Sequence, residues 1–141
     1  MSEFTEALGL DVGGRRIGVA RVGSVARLPE PVTTVINEDG VLDVIDELVD
    51  EFSSDVVVVG LPRSLDGNDT DQTLISREFA ATLEASGKRV VLQDEALSSK
   101  KADDLIQQGV YKRNARGDDV TTDEVAACII LEDFLGGPNS V

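Results

Sequence analysis

The sequence predicts an α/β protein with one mixed five-stranded sheet flanked by helices, and three observations support this class. Two short apolar runs, residues 7–13 and 17–22, are separated by the turn Gly-Gly-Arg-Arg, which predicts an antiparallel hairpin. Residues 55–60 read DVVVVG, a β-branched run typical of a strand buried on both faces. The later strands alternate with amphipathic segments, as in parallel β-α-β units.

In the first half of the chain, each element follows from the local composition. Gly13 and Gly14 are expected to supply positive φ at the bend of the hairpin. A β-branched run at residues 32–36, after two prolines, predicts a third strand. Residues 40–52 place apolar side chains at helical spacing with acidic residues on the other face, which predicts the first helix.

The second half predicts three helices and two strands. Strand 55–60 is followed by a polar loop and a helix at 72–85, which ends before Gly87. A buried strand at 89–93 precedes a helix at 98–108. Residues 111–120 are polar, basic and contain a glycine, so we expect a mobile segment there. The last helix is predicted at 122–135, because Thr121 and Glu124 have the spacing of a capping box.

The 141 residues are expected to form one domain, residues 1–141, with an ordered core at about 7–136 and short polar tails. No run approaches 18 consecutive apolar residues, so no association with a membrane is expected. The first residues are polar and acidic, unlike a signal peptide, and this predicts a cytoplasmic protein. A monomer and a homodimer both remain open.

Two residue types limit the chemistry. The single cysteine, Cys128, allows no internal disulfide and lies in an apolar run, where we expect it to pack as a small hydrophobic residue. The chain has no histidine, which excludes a Ser-His-Asp triad, a Cys-His pair and a histidine zinc site. Hydrolytic chemistry must therefore use carboxylates, lysine or hydroxyls, with a metal ion that prefers oxygen ligands.

The net charge of −14 argues against a protein that coats nucleic acid, but the basic residues are clustered. Residues 15–27 contain four arginines and no acid, and residues 100–116 contain five basic residues against two acids. These clusters are either solvated surface or contacts for phosphate groups. The candidates for nucleic-acid binding are Arg15, Arg16, Lys100, Lys101, Lys112, Arg113 and Arg116.

Three carboxylates stand at positions that favour chemistry. Asp11 lies in an apolar strand, where it must be neutralised by turn amides, by Arg15 or Arg16, or by a metal. Glu95 follows the strand 89–93, at the carboxyl edge where ligands of α/β sheets collect, although alone it would be an ordinary loop acid. Asp123 opens the last helix, where an acid also complements the helix dipole.

We expect Asp11, Glu95 and Asp123 to converge at one edge of the sheet. Their mutual repulsion would be relieved by Mg²⁺ or Mn²⁺, and paired divalent ions catalyse phosphodiester hydrolysis without histidine or cysteine. The same residues are therefore predicted as metal ligands and as catalytic residues. A fourth carboxylate is left open between Asp94, Asp119 and Glu124.

Four motifs resemble those of the YqgF/RuvX family of RNase H-fold proteins. They are LGLDVGGRRIGVA (8–20), VVVGLPRSLDGN (57–68), DEALSS (94–99) and TDEVAACIILEDFL (122–135). The resemblance implies an RNase H-like fold, and it places the acidic ligands of the family on Asp11, Glu95 and Asp123. It also implies a nuclease that matures the 5′ end of pre-16S rRNA or resolves Holliday junctions. The third motif departs from the family pattern, since Ala96 stands where the family has arginine.

Several functions remain as alternatives. The leading prediction is a metal-dependent nuclease acting on structured RNA, and the second is a resolvase acting on branched DNA. The glycines after Asp11 also resemble the first phosphate loop of actin-like kinases, but those proteins need two such domains. A non-catalytic nucleic-acid-binding module is the last alternative, favoured by the acidic composition and by Ala96.

Overall fold

The structure is a computed structural model that describes residues 4–64, 66–95 and 98–136. Its elements follow the predicted order. The strands are β1 (Glu6–Val12), β2 (Arg16–Gly23), β3 (Glu30–Ile36), β4 (Val56–Pro62) and β5 (Val90–Glu95). The helices are α1 (Val41–Phe52), α2 (Asp71–Ala85), α3 (Ser98–Gln107) and α4 (Thr122–Phe134).

All five strands form one sheet in the order β3-β2-β1-β4-β5. The pairs β1–β2 and β2–β3 are antiparallel, whereas β1–β4 and β4–β5 are parallel. The carboxyl ends of β1, β4 and β5 therefore meet at one edge of the sheet. The predicted mixed sheet is confirmed.

The two faces of the sheet carry different helices, because side chains alternate along each strand. On one face, Leu8 and Leu10 pack against α1 and α2. On the other face, Ala7 and Ala20 pack against α4, with Cys128 buried among them as expected. Helix α3 packs on the outer side of α4 through Ala102 and does not reach the first core.

Two local predictions are wrong. β5 continues to Glu95, so this residue is the last of the strand and does not follow it. The bend of the first hairpin contains no residue with positive φ. Gly13 is instead required by a close approach, since its N–H donates to the carbonyl of Arg16 at 2.8 Å and a Cβ would collide with that oxygen.

The segment between α3 and α4, residues 111–120, was predicted to be mobile, but hydrogen bonds hold it in place. The N–H of Asn114 donates to the carbonyl of Asp118, and the N–H of Ala115 donates to the carbonyl of Pro31 on β3. Asn114 itself is buried. The segment is thus fastened to the edge of the sheet.

Within the described ranges, every helix is too short or too polar to cross a lipid bilayer.

Candidate active site

Helix α4 lies directly on the backbone of the sheet, because glycines face it on three neighbouring strands. A Cβ at Gly9 or at Gly60 would overlap the side chain of Leu131 or Ile130, and one at Gly18 would overlap the backbone of Asp123. Side chains larger than hydrogen would push the helix away. The depth at which α4 is seated therefore depends on these three positions.

This close approach brings Asp123 beside Asp11. Asp11 pairs with Gly18 across the β1–β2 ladder, and the backbone of Asp123 lies against Gly18. Asp11 also shares the face of Gly9, two residues earlier in the strand, which packs on α4. Two carboxylates that are 112 positions apart in the chain are thereby held as neighbours.

Arg16 is attached to Asp123 and not to Asp11. Its Nε donates to Oδ2 of Asp123 at 3.2 Å, and two thirds of its side chain is exposed. In the described part of the chain, no side chain or backbone group donates a hydrogen bond to the carboxylate of Asp11. Burial and then the charge of Asp123 raise the pKa of Asp11 to about 6. The sequence left open that Arg15 or Arg16 neutralises Asp11, but among the described residues neither arginine pairs with it.

Glu95 completes the same edge from β5. It pairs with Pro62, two residues beyond Gly60, so its side chain is on the face that carries α4. Only 8% of the residue is exposed, and its Oε1 is buried without a hydrogen-bond partner. Burial, a hydrogen bond with Asp133 and the charge of Asp133 raise its pKa to about 9, with a smaller contribution from Asp11. The charge of Lys101 acts in the opposite direction.

Asp133 is the carboxylate that the sequence did not reveal. It lies near the end of α4, ten residues after Asp123, and shares a hydrogen bond with Glu95. The sequence held one indication of this position: Asp133 is three residues after Ile130, which packs on Gly60, so the two side chains lie on the same side of the helix. That signal becomes useful only when the direction in which α4 crosses the sheet is known.

The acids form two neighbouring pairs, Asp11–Asp123 and Glu95–Asp133. Among residues 4–64, 66–95 and 98–136, no three acidic side chains are yet close enough to hold one ion. The donor set nevertheless fits a divalent cation. It offers oxygen ligands alone, two of its carboxyl groups have raised pKa values, and one buried oxygen lacks a partner.

The three acids considered as a fourth ligand have other partners. Asp94 points to the opposite face of β5 and pairs with Arg63 at 3.0 Å. Asp119 is largely exposed and pairs with Arg113 at 3.0 Å. Glu124 is buried and accepts hydrogen bonds from Thr34 and Asn114. The structure brings none of them to Asp11 or Glu95.

The seven basic candidates divide into three groups. Arg16 and Lys101 lie at the two acid pairs, and Arg15 and Lys100 are exposed beside them in the chain. Lys112 is exposed on the segment before α4. The remaining two, Arg113 and Arg116, are not brought to the site.

Those two arginines are held by ion pairs elsewhere. Arg113 pairs with Asp119 within its own loop. Arg116 donates from both terminal nitrogens of its guanidinium to the carboxylate of Glu51, at the end of α1, and stacks over Phe52. The end of α1 lies where β4 starts, and because β4 is parallel to β1, this is the end of the strands opposite to Asp11. Ala96, the departure from the family pattern, lies outside the described residues.

The loop after β4 contacts the end of β5. Its Arg63 bridges Asp69 and Asp94, and the N–H of Arg63 donates to the carbonyl of Glu95 at 3.0 Å. Gly67 turns the loop with a φ of 84°. The loop therefore braces the end of β5, where Glu95 stands.

Comparison with known proteins supports the fold. Solved structures with the same fold include RuvC of T. thermophilus in complex with a Holliday junction substrate, with a TM-score of 0.53 at 14% identity, covering 94% of this chain and 96% of that one. The resolvase of Fowlpox virus with Holliday junction DNA also has a TM-score of 0.53, at 12% identity, covering 93% and 99%. The fold of the chain is thus RNase H-like.

The sequence comparisons identify the family. A family model described as RuvX: Holliday junction resolvase matches residues 5–137. A protein of Haemophilus influenzae (strain PittEE) is 33% identical over 133 residues, covering 92% of this chain and 94% of the relative. One of Syntrophus aciditrophicus (strain SB) is 37% identical over 132 residues, covering 91% and 86%. Both carry the name "Putative pre-16S rRNA nuclease". The chain belongs to the RuvX family, also called YqgF, as predicted.

Proposed function

We propose that this chain is a divalent-metal-dependent nuclease that hydrolyses phosphodiester bonds of structured RNA, with the 5′ end of the 16S rRNA precursor as its substrate. The observation that carries the proposal is the Asp11–Asp123 pair, in which two carboxylates are held together and the pKa of Asp11 is raised to about 6. Membership of a family whose relatives are named as nucleases supports the reaction class, a hydrolase acting on ester bonds.

In this proposal Asp11, Glu95 and Asp123 hold Mg²⁺ or Mn²⁺. A divalent cation held there would neutralise charge on the phosphate oxygens and would lower the pKa of a water molecule toward neutral pH. Glu95 reaches Asp11 by turning its side chain away from Asp133, with which it shares a hydrogen bond. Its pKa of about 9 means that it carries a proton until a positive charge arrives.

The basic side chains at this edge orient the nucleic acid. Arg16 lies on the β2 side of the acids and Lys101 on the β5 side, so a backbone that crosses the edge meets a cation on each side. The exposed positions Arg15 and Lys100 lengthen this path. Arg113 and Arg116, with their own carboxylate partners, are left out of it.

A second candidate is the resolution of Holliday junctions, which the description of the matching family model favours. Both activities use the same carboxylates, so only the substrate separates them. A resolvase must make two symmetric incisions, and this activity requires a homodimer.

The test is a cleavage assay with two substrates, 16S precursor RNA with a 5′ extension and a four-way DNA junction, each with and without Mg²⁺. We expect cleavage of the RNA that depends on Mg²⁺ and is lost in Asp11→Asn. Asp43→Asn is the matched control, because Asp43 is exposed on α1. Equal rates for the wild type and Asp11→Asn would contradict the proposed site, and paired cuts confined to the junction would favour the second candidate.

A further inference from the structure

Glu124, the residue after Asp123, is a buried carboxylate that the proposed chemistry does not use. It is only 1% exposed, and no lysine or arginine in the described part of the chain pairs with it. Its partners are neutral groups, namely the hydroxyl of Thr34, the amide of Asn114 and the backbone N–H of Thr121. Burying a carboxylate without a cation is costly, which indicates a role beyond filling space.

The bond to Thr34 ties α4 to a particular row of the sheet. Thr34 on β3 pairs with Gly18 on β2, and Gly18 pairs with Asp11 on β1. These three residues thus lie side by side across three strands. Thr34 donates to Oε2 of Glu124 at 2.6 Å, while the backbone of Asp123 lies on Gly18. Two consecutive residues of α4 are therefore attached to the row that ends at Asp11.

We propose that Glu124 is a positioning residue: its hydrogen bond with Thr34 sets where the start of α4 lies along this row, and thereby holds Asp123 next to Asp11. The inference rests on the proposed function, since it is the metal-binding geometry of Asp123 that is positioned. Gly18 determines how deep the helix is seated, and Glu124 determines its lateral position.

A second set of bonds fastens the preceding segment to the same carboxylate. Nδ2 of Asn114 donates to Oε1 of Glu124 at 3.1 Å. Oδ1 of Asn114 accepts from the backbone N–H groups of Arg116, at 2.9 Å, and Asp118, at 3.1 Å. Both oxygens of Glu124 are thus engaged by groups outside α4. The carboxylate joins β3, α4 and residues 114–118.

A capping box alone does not account for these contacts. The box needs only the exchange between Thr121 and Glu124, and the structure has it, with the N–H of Glu124 donating to Oγ1 of Thr121 at 3.1 Å. The hydroxyl of Thr34 bonds to Glu124 and also lies 2.8 Å from Oγ1 of Thr121, so it links both members of the box to β3. It adds a fixed position of the helix relative to β1.

Thr34→Val tests the inference, because it removes the hydroxyl and keeps the β-branched shape. Thr33→Val is the matched control: Thr33 is the adjacent residue of the same strand and, in the described structure, its hydroxyl makes no hydrogen bond. Glu124→Gln is the conservative variant, since an amide can still accept from Asn114 and donate to Thr34. For all four proteins we measure the increase of Tm with Mn²⁺ and Mg²⁺ concentration, and the kcat and KM of cleavage.

We expect Thr34→Val to weaken metal affinity and to lower kcat by about tenfold or more, a loss typical of groups that orient a metal ligand, with KM unchanged. Thr33→Val should match the wild type, and Glu124→Gln should lose less than Thr34→Val. If Thr34→Val lowers Tm in metal-free buffer but keeps wild-type metal affinity and kcat, the contact is merely structural and the inference is overturned. If the wild type itself shows no response to either metal, the proposed function fails, whatever the variants do.

Discussion

The two acid pairs at the edge of the sheet are held in different ways. Asp11 and Asp123 are placed by β1 and by the start of α4, where glycine contact, a capping box and the Thr34 bond act together. Glu95 and Asp133 stand at the last residue of β5 and near the end of α4, and one oxygen of Glu95 has no partner. The first pair is built to keep its geometry, and the second has room to change it. In the proposed metal site, Glu95 would therefore be the ligand that moves to complete binding.

The largest effect on cleavage is expected from replacing the carboxyl group of Glu95, in the Glu95–Asp133 pair. Glu95→Gln should reduce Mg²⁺-dependent cleavage by about a hundredfold or more, because it removes a carboxylate of the proposed metal site. In metal-free buffer at neutral pH it should be more stable than the wild type, because the wild type must take up a proton at Glu95 on folding that its unfolded state has released. Cleavage rates and thermal melts measure the two quantities. Glu84→Gln on the exposed side of α2 is the control, and retained cleavage in Glu95→Gln would remove Glu95 from the site.

The second prediction breaks the fixed pair without touching a carboxylate. In Gly18→Ala the new methyl group meets the backbone of Asp123, so α4 must shift. We expect a loss of about 1–3 kcal/mol in the free energy of unfolding, as for other overpacked sites, together with weaker metal binding. Gly14→Ala is the control, because a Cβ at Gly14 has no neighbour within 4 Å. Denaturant melts measure the stability and metal titrations measure the affinity. Wild-type metal affinity in Gly18→Ala would contradict the role of Gly18 in placing Asp123.

The third prediction separates the pairs by pH. Both carboxyl groups have folded-state pKa values above their ordinary ones, so the native state keeps protons that the unfolded state has released, and stability falls as pH rises. For Asp11 the fall spans about pH 3.8 to 6, and for Glu95 about pH 4.5 to 9. Above pH 6 the decrease in stability with pH is therefore due to Glu95. In metal-free buffer we expect Tm to decrease from pH 6 to 9 in the wild type and to be flatter in Glu95→Gln. Identical slopes in both proteins would show that the pKa of Glu95 is not raised.

The smallest effect on cleavage is expected from Asp133→Asn, which tests whether Asp133 only positions Glu95 or also belongs to the proposed metal site. Among charged groups, Asp133 raises the pKa of Glu95 most, so its removal should lower that pKa and flatten the dependence of Tm on pH. If Asp133 only holds the resting position of Glu95 and binds no metal, the cleavage rate should stay within about threefold of the wild type. A loss as large as that of Glu95→Gln would instead make Asp133 the fourth ligand.

Much of the fold was predictable because it depends on local patterns. The β-branched run before Gly60 and the amphipathic spacing of α1 are visible in a few residues each, and parallel connections then restrict the topology. The capping box of Thr121 and Glu124 was predicted for the same reason and is confirmed. The three separated acids could be named as candidates, since each stands within or next to an apolar segment.

What could not be predicted depends on contacts between distant segments. The contact of Asp133 with Glu95 follows from the direction in which α4 crosses the sheet, and no local pattern encodes that direction. Residues 111–120 look mobile in composition, yet Asn114 is buried against Glu124 ten residues away. Arg116 looks like a phosphate ligand, yet it pairs with Glu51 on a helix of the other face. Charge clusters in a sequence do not identify the partners that folding supplies.

The three glycines under α4 have a consequence for how this protein tolerates change. Where a helix rests on side chains, a larger group at one position can be offset by a smaller group at another. At Gly9, Gly18 and Gly60 the sheet offers hydrogen only, and nothing smaller exists to compensate for an addition. A saturation library should therefore accept many exchanges among the apolar residues packed between α1 and the sheet, such as Leu8 and Ile45, and reject nearly all exchanges at these three glycines. The least conspicuous residues of the chain would then be the ones that vary least.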